Sequence, residues 1–159
     1  MRSWIMADTI IRPARREDVP AIVALLADDP LGAAREEAAD PLPAAYWQAF
    51  DDVAAQSGNF LFIAVSSGAV AGCLQLTLIP GLSRRGMKRG LIEAVRIGAG
   101  CRGQGLGERL VRHAIEVARA AGCGLVQLTS DTSRADAHRF YERLGFVASH
   151  VGMKLALDD

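Results

Sequence analysis

The feature that most constrains this chain is a glycine-rich stretch between a strand-like run and a helix-like run. The apolar sequence LIEAVRI at 91–97 predicts a strand, and CRGQGLGERLVRHAIEVARAAG follows at 101–122. Gly103, Gly105 and Gly107 occupy alternate positions in it. Glycine costs backbone entropy and is a poor helix former. We therefore expect another group to approach this backbone so closely that side chains would block it.

A glycine-rich turn between a strand and a helix is typical of phosphate binding. The first N–H groups of a helix have no partner within the helix, and they lie at the positive end of its dipole. Glycine leaves these amides accessible, and Arg102 adds a charged donor. The stretch therefore predicts a bound pyrophosphate, with a glycine loop that holds no ligand as the alternative.

Composition favours one ordinary domain. The chain has 159 residues, enough to bury a substantial core, so we expect a single domain over 1–159. Its 18 basic and 18 acidic side chains balance, which argues against nucleic-acid binding and membrane-surface binding. Three scattered cysteines and three scattered histidines predict no disulfide framework and no metal site, and they fit a cytoplasmic location. No apolar run has the length of a signal peptide or a membrane span.

The remaining segments alternate between strand and helix patterns. Turn residues at Ser67-Gly68 predict a hairpin, and Asp18 and Ser133 are expected helix N-caps. We expect strands near 9–12, on both sides of that turn, and at 91–97, 124–130 and 146–157, with helices after Asp18 and at 43–56, 106–121 and 133–144. This order predicts an α/β (α+β) fold with a mixed sheet and helices on both faces.

A dinucleotide-binding fold is a weaker alternative. The sequence GAGCRG at 98–103 matches G-x-G-x-x-G after a strand, and Asp131 follows the next strand, where an acid could bind a ribose. However, the helical periodicity begins only at Leu106, so the third glycine precedes the helix. The strands that flank Ser67 also form a hairpin instead of a β-α-β unit.

Three motifs resemble the GNAT family of N-acetyltransferases. RGQGLG at 102–107 is similar to the family's acyl-coenzyme-A pyrophosphate signature, Arg/Gln-x-x-Gly-x-Gly/Ala. IEAVRI at 92–97 is similar to its central strand, and AHRFYERLGF at 137–146 resembles its A-x-x-F-Y-E-x-x-G-F segment. The resemblance covers about 91–146. It implies a mixed, mostly antiparallel sheet flanked by helices on both faces.

The resemblance implies acetyl-coenzyme A as the acetyl donor and a primary amine as the acceptor. The backbone of the central strand would hold the pantetheine arm, and the N–H of Val95 would polarise the carbonyl. The implied coenzyme-binding residues are Val95, Arg96, Ile97, Arg102, Gly103, Gln104, Gly105, Leu106, Gly107 and Glu108. No metal is implied, and homodimers are common in the family.

Tyr141 and Glu93 are the candidate catalytic residues. In the family the tyrosine of the FY pair lies near the coenzyme sulfur, and a phenol with a pKa near 10 is protonated at neutral pH. Tyr141 is therefore the candidate donor to the departing thiolate, although its helical spacing also fits a core aromatic. Glu93 would share a strand face with Val95 and Ile97. Burial there would raise its pKa and suit it to accept or relay the amine proton. A solvated acid, or one paired with Arg96 or Lys88, is the alternative.

Two questions stay open at this stage. Many family members have an asparagine where this chain has Arg134, and arginine cannot accept a hydrogen bond. The acceptor pocket is expected to include the loop at 28–41 and the basic loop at 84–89, which carry no motif. Whether the acceptor is a small-molecule amine or a protein amine therefore stays open. A non-catalytic module that binds acyl-coenzyme A is the alternative from another functional class.

Overall fold

In a computed structural model that describes residues 8–157, five strands form one sheet in the order β1-β2-β3-β4-β5. Neighbours from β1 to β4 are antiparallel, whereas β5 is parallel to β4. The strands are β1 (Ile10–Pro13), β2 (Asn59–Ser66), β3 (Ala69–Ile79), β4 (Arg89–Ile97) and β5 (Leu125–Leu128). This mixed, mostly antiparallel sheet confirms the predicted fold class and differs from the parallel sheet that a dinucleotide-binding fold requires.

Over residues 8–157, five helices connect or flank the strands. They are α1 (Val19–Ala27), α2 (Ala44–Ala55), the single turn α3 (Ser83–Gly86), α4 (Leu106–Ala120) and α5 (Ala135–Arg143). Short 3-10 turns precede α1 and α4, at Arg16–Asp18 and Ala99–Cys101. In the part of the chain that is described, none of these helices combines the length and the apolarity needed to cross a membrane.

Two apolar clusters lie on opposite faces of the sheet. On one face α4 packs on the central strands, and Leu74, Leu110 and Val111 are fully buried there. On the other face Ile22 and Leu25 of α1 pack on β2 and β3. The alternation of strand side chains supplies both clusters, because residues two apart in a strand share a face. Helices on both faces are thus confirmed.

The β2–β3 hairpin is confirmed at the predicted turn. Ser67 and Gly68 both have positive φ, 51° and 79°. This pair of left-handed residues matches the right-handed twist of the flanking strands. Local turn chemistry was sufficient to predict it.

The predicted strand at 146–157 is wrong. No strand forms after α5 within the described residues, and every residue of 147–157 is exposed. A strand requires a neighbouring edge to pair its N–H and C=O groups, and this segment pairs with none. The alternating pattern of side chains indicates a strand, but it does not indicate where the partner is.

The two predicted N-caps behave differently from expectation. Asp18 is the N-cap residue of α1 as predicted, but its side chain does not cap the helix, because its carboxylate accepts hydrogen bonds from the Arg12 guanidinium at 2.8 and 3.0 Å and from the Arg15 N–H at 2.7 Å. Ser133 does not cap α5, since Arg134 occupies that position. The N–H and hydroxyl of Ser133 donate instead to the Asp131 carboxylate, at 2.9 and 2.6 Å. This local turn competes with the helix, which begins later than predicted.

Candidate active site

A bulge in the middle of β4 reorients the site. Between the pairs Cys73–Arg96 and Gln75–Glu93, β4 contains one residue more than β3. Ala94 lies in this extra stretch with a φ of +52°, in the left-handed region. A non-glycine residue adopts such a φ at a cost, so the surrounding pairing must hold it there. Bulges of this kind re-aim the side chains that follow them.

The bulge overturns one prediction about Glu93. Ile92, Val95 and Ile97 all pack against the α4 core, so the alternation of faces is broken between Ile92 and Val95. Glu93 is exposed, and it does not share a face with Val95 and Ile97 as predicted. In residues 8–157 no ion pair joins Glu93 to Arg96 or Lys88. The expected burial of this carboxylate is therefore also wrong, because strand periodicity cannot anticipate an inserted residue.

A gap opens between β4 and β5 beyond the bulge. Their parallel pairing runs from Arg89–Leu125 to Ile92–Leu128 and then stops, while β4 continues to Ile97. The β4 edge at 93–97 is thus not covered by β5. An unpaired strand edge offers N–H and C=O groups to any extended chain that lies along it. The pantetheine arm implied by the family resemblance would be an extended chain of this kind.

The glycine stretch forms an open turn at the start of α4. Gly103 and Gly105 have φ values of +71° and +80°, which glycine adopts without strain. A Cβ on Gly103 would meet nothing within 4 Å. Gly105 is the N-cap of α4, and no side chain caps this end of the helix. The first amides of α4 are therefore available to an anion, as the sequence predicts.

Arg102 connects this turn to the end of α1. Its Nε donates to the Ile97 carbonyl at 3.0 Å, and its Nη2 donates to the Asp28 carbonyl at 3.0 Å. The Asp28 carboxylate lies 3.5 Å away, and both side chains are about half exposed, at 53% and 54%. Ion pairs this exposed contribute little free energy. These contacts hold the half-exposed guanidinium beside the turn.

Tyr141 lies on α5 beside the same turn. A Cβ on Gly107 would lie 3.5 Å from the Phe140 ring, so α5 packs against the start of α4. The Tyr141 ring makes edge contacts with Phe140 and Phe146, at centroid distances of 5.0 and 5.7 Å. Burial raises the pKa of Tyr141, while the guanidinium of Arg96 and that of Arg134 oppose this rise. The phenol is consequently protonated at neutral pH and able to donate.

A partly buried carboxylate, Asp29, joins three parts of the chain, and the sequence analysis missed it. It accepts hydrogen bonds from the Gly32 N–H at 2.6 Å and from Arg134 at 2.7 Å, and its side chain is 12% exposed. The Arg96 Nε lies 2.9 Å from it, but this buried N–H has no hydrogen bond within the described chain, so the contact is one of charge. Burial alone would raise the pKa of Asp29, yet the Gly32 amide and the two guanidiniums lower it to about 2.

No sequence signal could have found this cluster. Asp29 and Arg134 are 105 positions apart, and only the fold brings them together. Both guanidiniums contact the Asp29 carboxylate and act on Tyr141 through their charge, and the Asp131 carboxylate also interacts with Arg134. In contrast, Arg84 and Arg85 of the predicted basic loop are exposed in α3, and Lys88 donates to the Ala121 carbonyl.

Within residues 8–157, no group of three or more His, Cys, Asp or Glu side chains is arranged to hold a metal ion.

Comparison with known proteins shows which family this chain belongs to. The family model described as Acetyltransferase (GNAT) family matches residues 19–146. A solved structure, a transcriptional regulator from Bacillus halodurans C-125, superposes with a TM-score of 0.92 at 45% identity, over 94% of this chain and 99% of that one.

The curated relatives with stated activities include the following two. Glucosamine 6-phosphate N-acetyltransferase of Trypanosoma brucei brucei is 36% identical over 91 residues, which are 57% of this chain and 60% of that protein. Aminoalkylphosphonate N-acetyltransferase of Salmonella typhimurium is 36% identical over 95 residues, 60% of this chain and 61% of that protein. The chain thus spans about three fifths of the length of these relatives.

Proposed function

Because this chain belongs to the acetyltransferase (GNAT) family, we propose that it transfers an acetyl group from acetyl-coenzyme A directly to a primary amine while both substrates are bound. One observation carries this proposal. The uncapped, glycine-lined start of α4 lies at the end of the β4 edge that β5 leaves open. We also propose that 1–159 is one such domain and that it acts in the cytoplasm.

The site fits the coenzyme in two parts. The pyrophosphate would bind the amides at the start of α4, where Gly103 leaves open space, and Arg102 would add charge-assisted hydrogen bonds. The pantetheine arm would follow the backbone of β4. The proposed set is Val95, Arg96, Ile97, Arg102, Gly103, Gln104, Gly105, Leu106, Gly107 and Glu108. The coenzyme supplies an acetyl group activated as a thioester.

Two side chains would move protons. Tyr141 donates its phenolic proton to the departing sulfur, and the raised pKa keeps that proton available at neutral pH. Glu93 accepts the proton of the amine through water, or holds the ammonium form before transfer. The exposed position of Glu93 supports a route through solvent rather than a buried base. Groups in these roles each contribute roughly 10²–10⁴-fold to the rate.

The acceptor we propose is a small amine that carries a phosphate or phosphonate group. Arg96 and Arg134 both contact the one carboxylate of Asp29, and the Nε of Arg96 has no hydrogen-bond partner within the described residues. Guanidinium groups bind phosphoryl oxygens with bidentate geometry. The names of the two relatives described above also specify acceptors of this type, glucosamine 6-phosphate and an aminoalkylphosphonate. A protein amine is the competing acceptor.

Calorimetry followed by thiol release tests the proposal. Acetyl-coenzyme A should bind, and NAD should bind more weakly. The amines are matched pairs: glucosamine 6-phosphate with glucosamine, and aminoethylphosphonate with ethanolamine. We expect a kcat/KM at least about tenfold higher for the phosphorylated or phosphonate member, equivalent to ~1.4 kcal/mol of transition-state binding. If the coenzyme binds but no amine, peptides included, causes release of its free thiol, the result would instead support the non-catalytic module.

Substitution of Arg134 tests whether this side chain binds the phosphate or phosphonate group of the acceptor. Arg134→Gln should raise KM for the phosphorylated amine about tenfold and leave KM for its neutral partner unchanged. Arg143→Gln is the matched control, because Arg143 is an exposed residue on the same helix. Equal effects of the two substitutions would exclude Arg134 from acceptor recognition while leaving the acetyltransferase assignment intact.

A further inference from the structure

The bulge in β4 places Glu93 and Arg96 on the same face of the sheet. Residues directly opposite each other in an antiparallel pair share a face, and here the pairs are Glu93–Gln75 and Arg96–Cys73. Cys73 packs in the cluster with α1, and Gln75 lies on the same face because it is two positions further along β3. Two strand residues span about 6.6 Å, so one small molecule on the α1 face can contact both Glu93 and Arg96.

On this face one carboxylate contacts two guanidiniums. Asp29 follows the end of α1, and its Oδ2 atom lies 2.7 Å from Arg134 Nη2 and 2.9 Å from Arg96 Nε. The Arg96 side chain is only 21% exposed, and its buried Nε–H has no hydrogen bond within the described residues. A buried donor without an acceptor costs free energy, and an anion with an additional oxygen would supply that acceptor.

Asp29 is held in place by its own loop. Its Oδ1 atom accepts a hydrogen bond from the Gly32 N–H at 2.6 Å. A Cβ on Gly32 would lie 1.9 Å from the Leu26 carbonyl oxygen, so the loop packs directly on the last turn of α1. The pKa of Asp29 is lowered to about 2, so the carboxylate is ionised at neutral pH. Asp29 is therefore a tethered anion that contacts both guanidiniums before any ligand binds.

We propose that the Asp29 carboxylate occupies the place of the acceptor's anionic group, and that Asp29 thereby selects a phosphoryl or phosphonate group over a carboxylate. The acceptor places its amine near Glu93, and its anionic group replaces the Oδ2 atom of Asp29 at the two guanidiniums. This role of Asp29 rests on the proposed function, because it concerns the same acceptor.

Competition with a tethered carboxylate accounts for the selectivity. A free carboxylate has the same charge and the same two oxygens as Asp29, but it also loses translational freedom when it binds, so it does not displace the tethered group. A phosphoryl group carries about −1.5 to −2 charges at neutral pH and three acceptor oxygens. It can bind both guanidiniums and still accept a hydrogen bond from the Arg96 Nε–H.

Two amines with the same carbon spacer test this selectivity. Aminoethylphosphonate and β-alanine differ only in the anionic group, a phosphonate in one and a carboxylate in the other. In the natural chain we expect a kcat/KM at least ~30-fold higher for the phosphonate, and in Asp29→Asn a ratio below ~5, mainly because β-alanine improves. Asp131→Asn is the matched control, because Asp131 also interacts with Arg134 through charge but accepts its hydrogen bonds from Ser133. Its ratio should equal that of the natural chain.

Anion binding can also be measured without coenzyme or acetyl transfer. Nuclear magnetic resonance follows the Arg96 Nε–H, assigned by its loss in Arg96→Lys, during titration with inorganic phosphate or acetate. Phosphate should shift this resonance. Acetate should bind at least ~10-fold more weakly than phosphate in the natural chain and within ~3-fold of phosphate in Asp29→Asn. Circular dichroism checks that the variants are folded, and the comparison of the two anions in the natural chain stands even where a variant is not.

Three results would contradict this role of Asp29. They are an Arg96 resonance that phosphate leaves unchanged, equal affinities of the natural chain for phosphate and acetate, and a phosphonate preference that Asp29→Asn and Asp131→Asn change to the same extent. A failure of the proposed function gives a different pattern, because no amine would then be acetylated while the two anions would still differ in the titration.

Discussion

Leu74 and Leu76 in β3 are wholly buried from solvent, whereas every side chain of β5 and α5 stays at least partly exposed to solvent. The antiparallel region, β1–β4 with α1 and α4, is closely packed on both faces of the sheet. The carboxyl-terminal region, from β5 to residue 157, is partly buried and then fully exposed. One chain thus combines a rigid support with a loosely covered region.

The candidate chemistry lies where these two regions meet. The open β4 edge and the glycine turn belong to the support, while Tyr141 and Arg134 belong to the loosely covered region. Segments that bind ligands or move are drawn from the less stable parts of a protein. We therefore expect substitutions of core side chains in the first region to change mainly stability, and substitutions at Tyr141 or Arg134 in the second to change mainly activity.

The largest expected effect is on activity in the carboxyl-terminal region. Tyr141→Phe should lower kcat by ~10²–10⁴-fold, because the donated proton is lost. The free energy of unfolding should change by less than about 1 kcal/mol, since the ring contacts with Phe140 and Phe146 remain. Steady-state thiol release and urea unfolding measure the two quantities.

The other tyrosine is the control for this substitution. The Tyr46 hydroxyl donates to the Glu36 carboxylate at 2.7 Å and accepts from the Glu37 N–H at 2.9 Å. Tyr46→Phe should cost about 1 kcal/mol of stability and leave kcat unchanged. A Tyr141→Phe enzyme with the kcat of the natural sequence would show that Tyr141 is only a packing residue.

The next effect is on stability in the antiparallel region. Leu74→Ala should lower the free energy of unfolding by about 2–5 kcal/mol, because the site is fully buried and leaves a cavity. Leu144→Ala in α5 should cost about 1 kcal/mol, since Leu144 is only partly buried. Urea unfolding measures both. Equal losses at the two sites would remove the contrast between the regions.

A smaller effect separates ligand binding from backbone strain. Gly103→Ala and Gly122→Ala place alanine at φ values of +71° and +82°, and neither Cβ would meet an atom within 4 Å. Both should cost about 1–2 kcal/mol of stability. Only Gly103→Ala should raise KM for acetyl-coenzyme A, by about tenfold or more, because its Cβ would enter the proposed pyrophosphate site. If both variants keep the same KM, the pyrophosphate lies elsewhere.

The smallest effect concerns the carboxylate that joins the two regions. The pKa of Asp29 is lowered from 3.8 to about 2, so its ionised form favours the folded state. This contribution, at most about 2 kcal/mol, is complete above roughly pH 5 and is lost as pH falls from about 4 to 2. Asp29→Asn should flatten the pH dependence of stability in that window. Urea unfolding from pH 2 to 6 would detect this, and an unchanged slope would contradict it.

Prediction from sequence succeeded wherever neighbouring residues determine the structure. The Ser67-Gly68 turn, the start of α4 and the order of the strands up to β5 depend on local patterns, and all are confirmed. The predictions failed where a residue distant along the chain determines which hydrogen bonds or strand pairs form. Asp18 occupies the predicted N-cap position of α1, but its carboxylate bonds Arg12 and Arg15 instead of the helix, and Ser133 bonds Asp131 and does not cap α5. The segment at 146–157 pairs with no strand in the described residues.

The sequence by itself determined the strand, glycine turn and helix at 91–120, because each depends on residues that are close along the chain. The tertiary structure alone decided which way Glu93 faces, since one extra residue near Ala94 exchanges the faces of β4. It also decided that Asp29 meets Arg96 and Arg134, because only folding brings these charges within contact distance. Local patterns specify what each segment can form, and the packing of distant segments specifies which groups then meet.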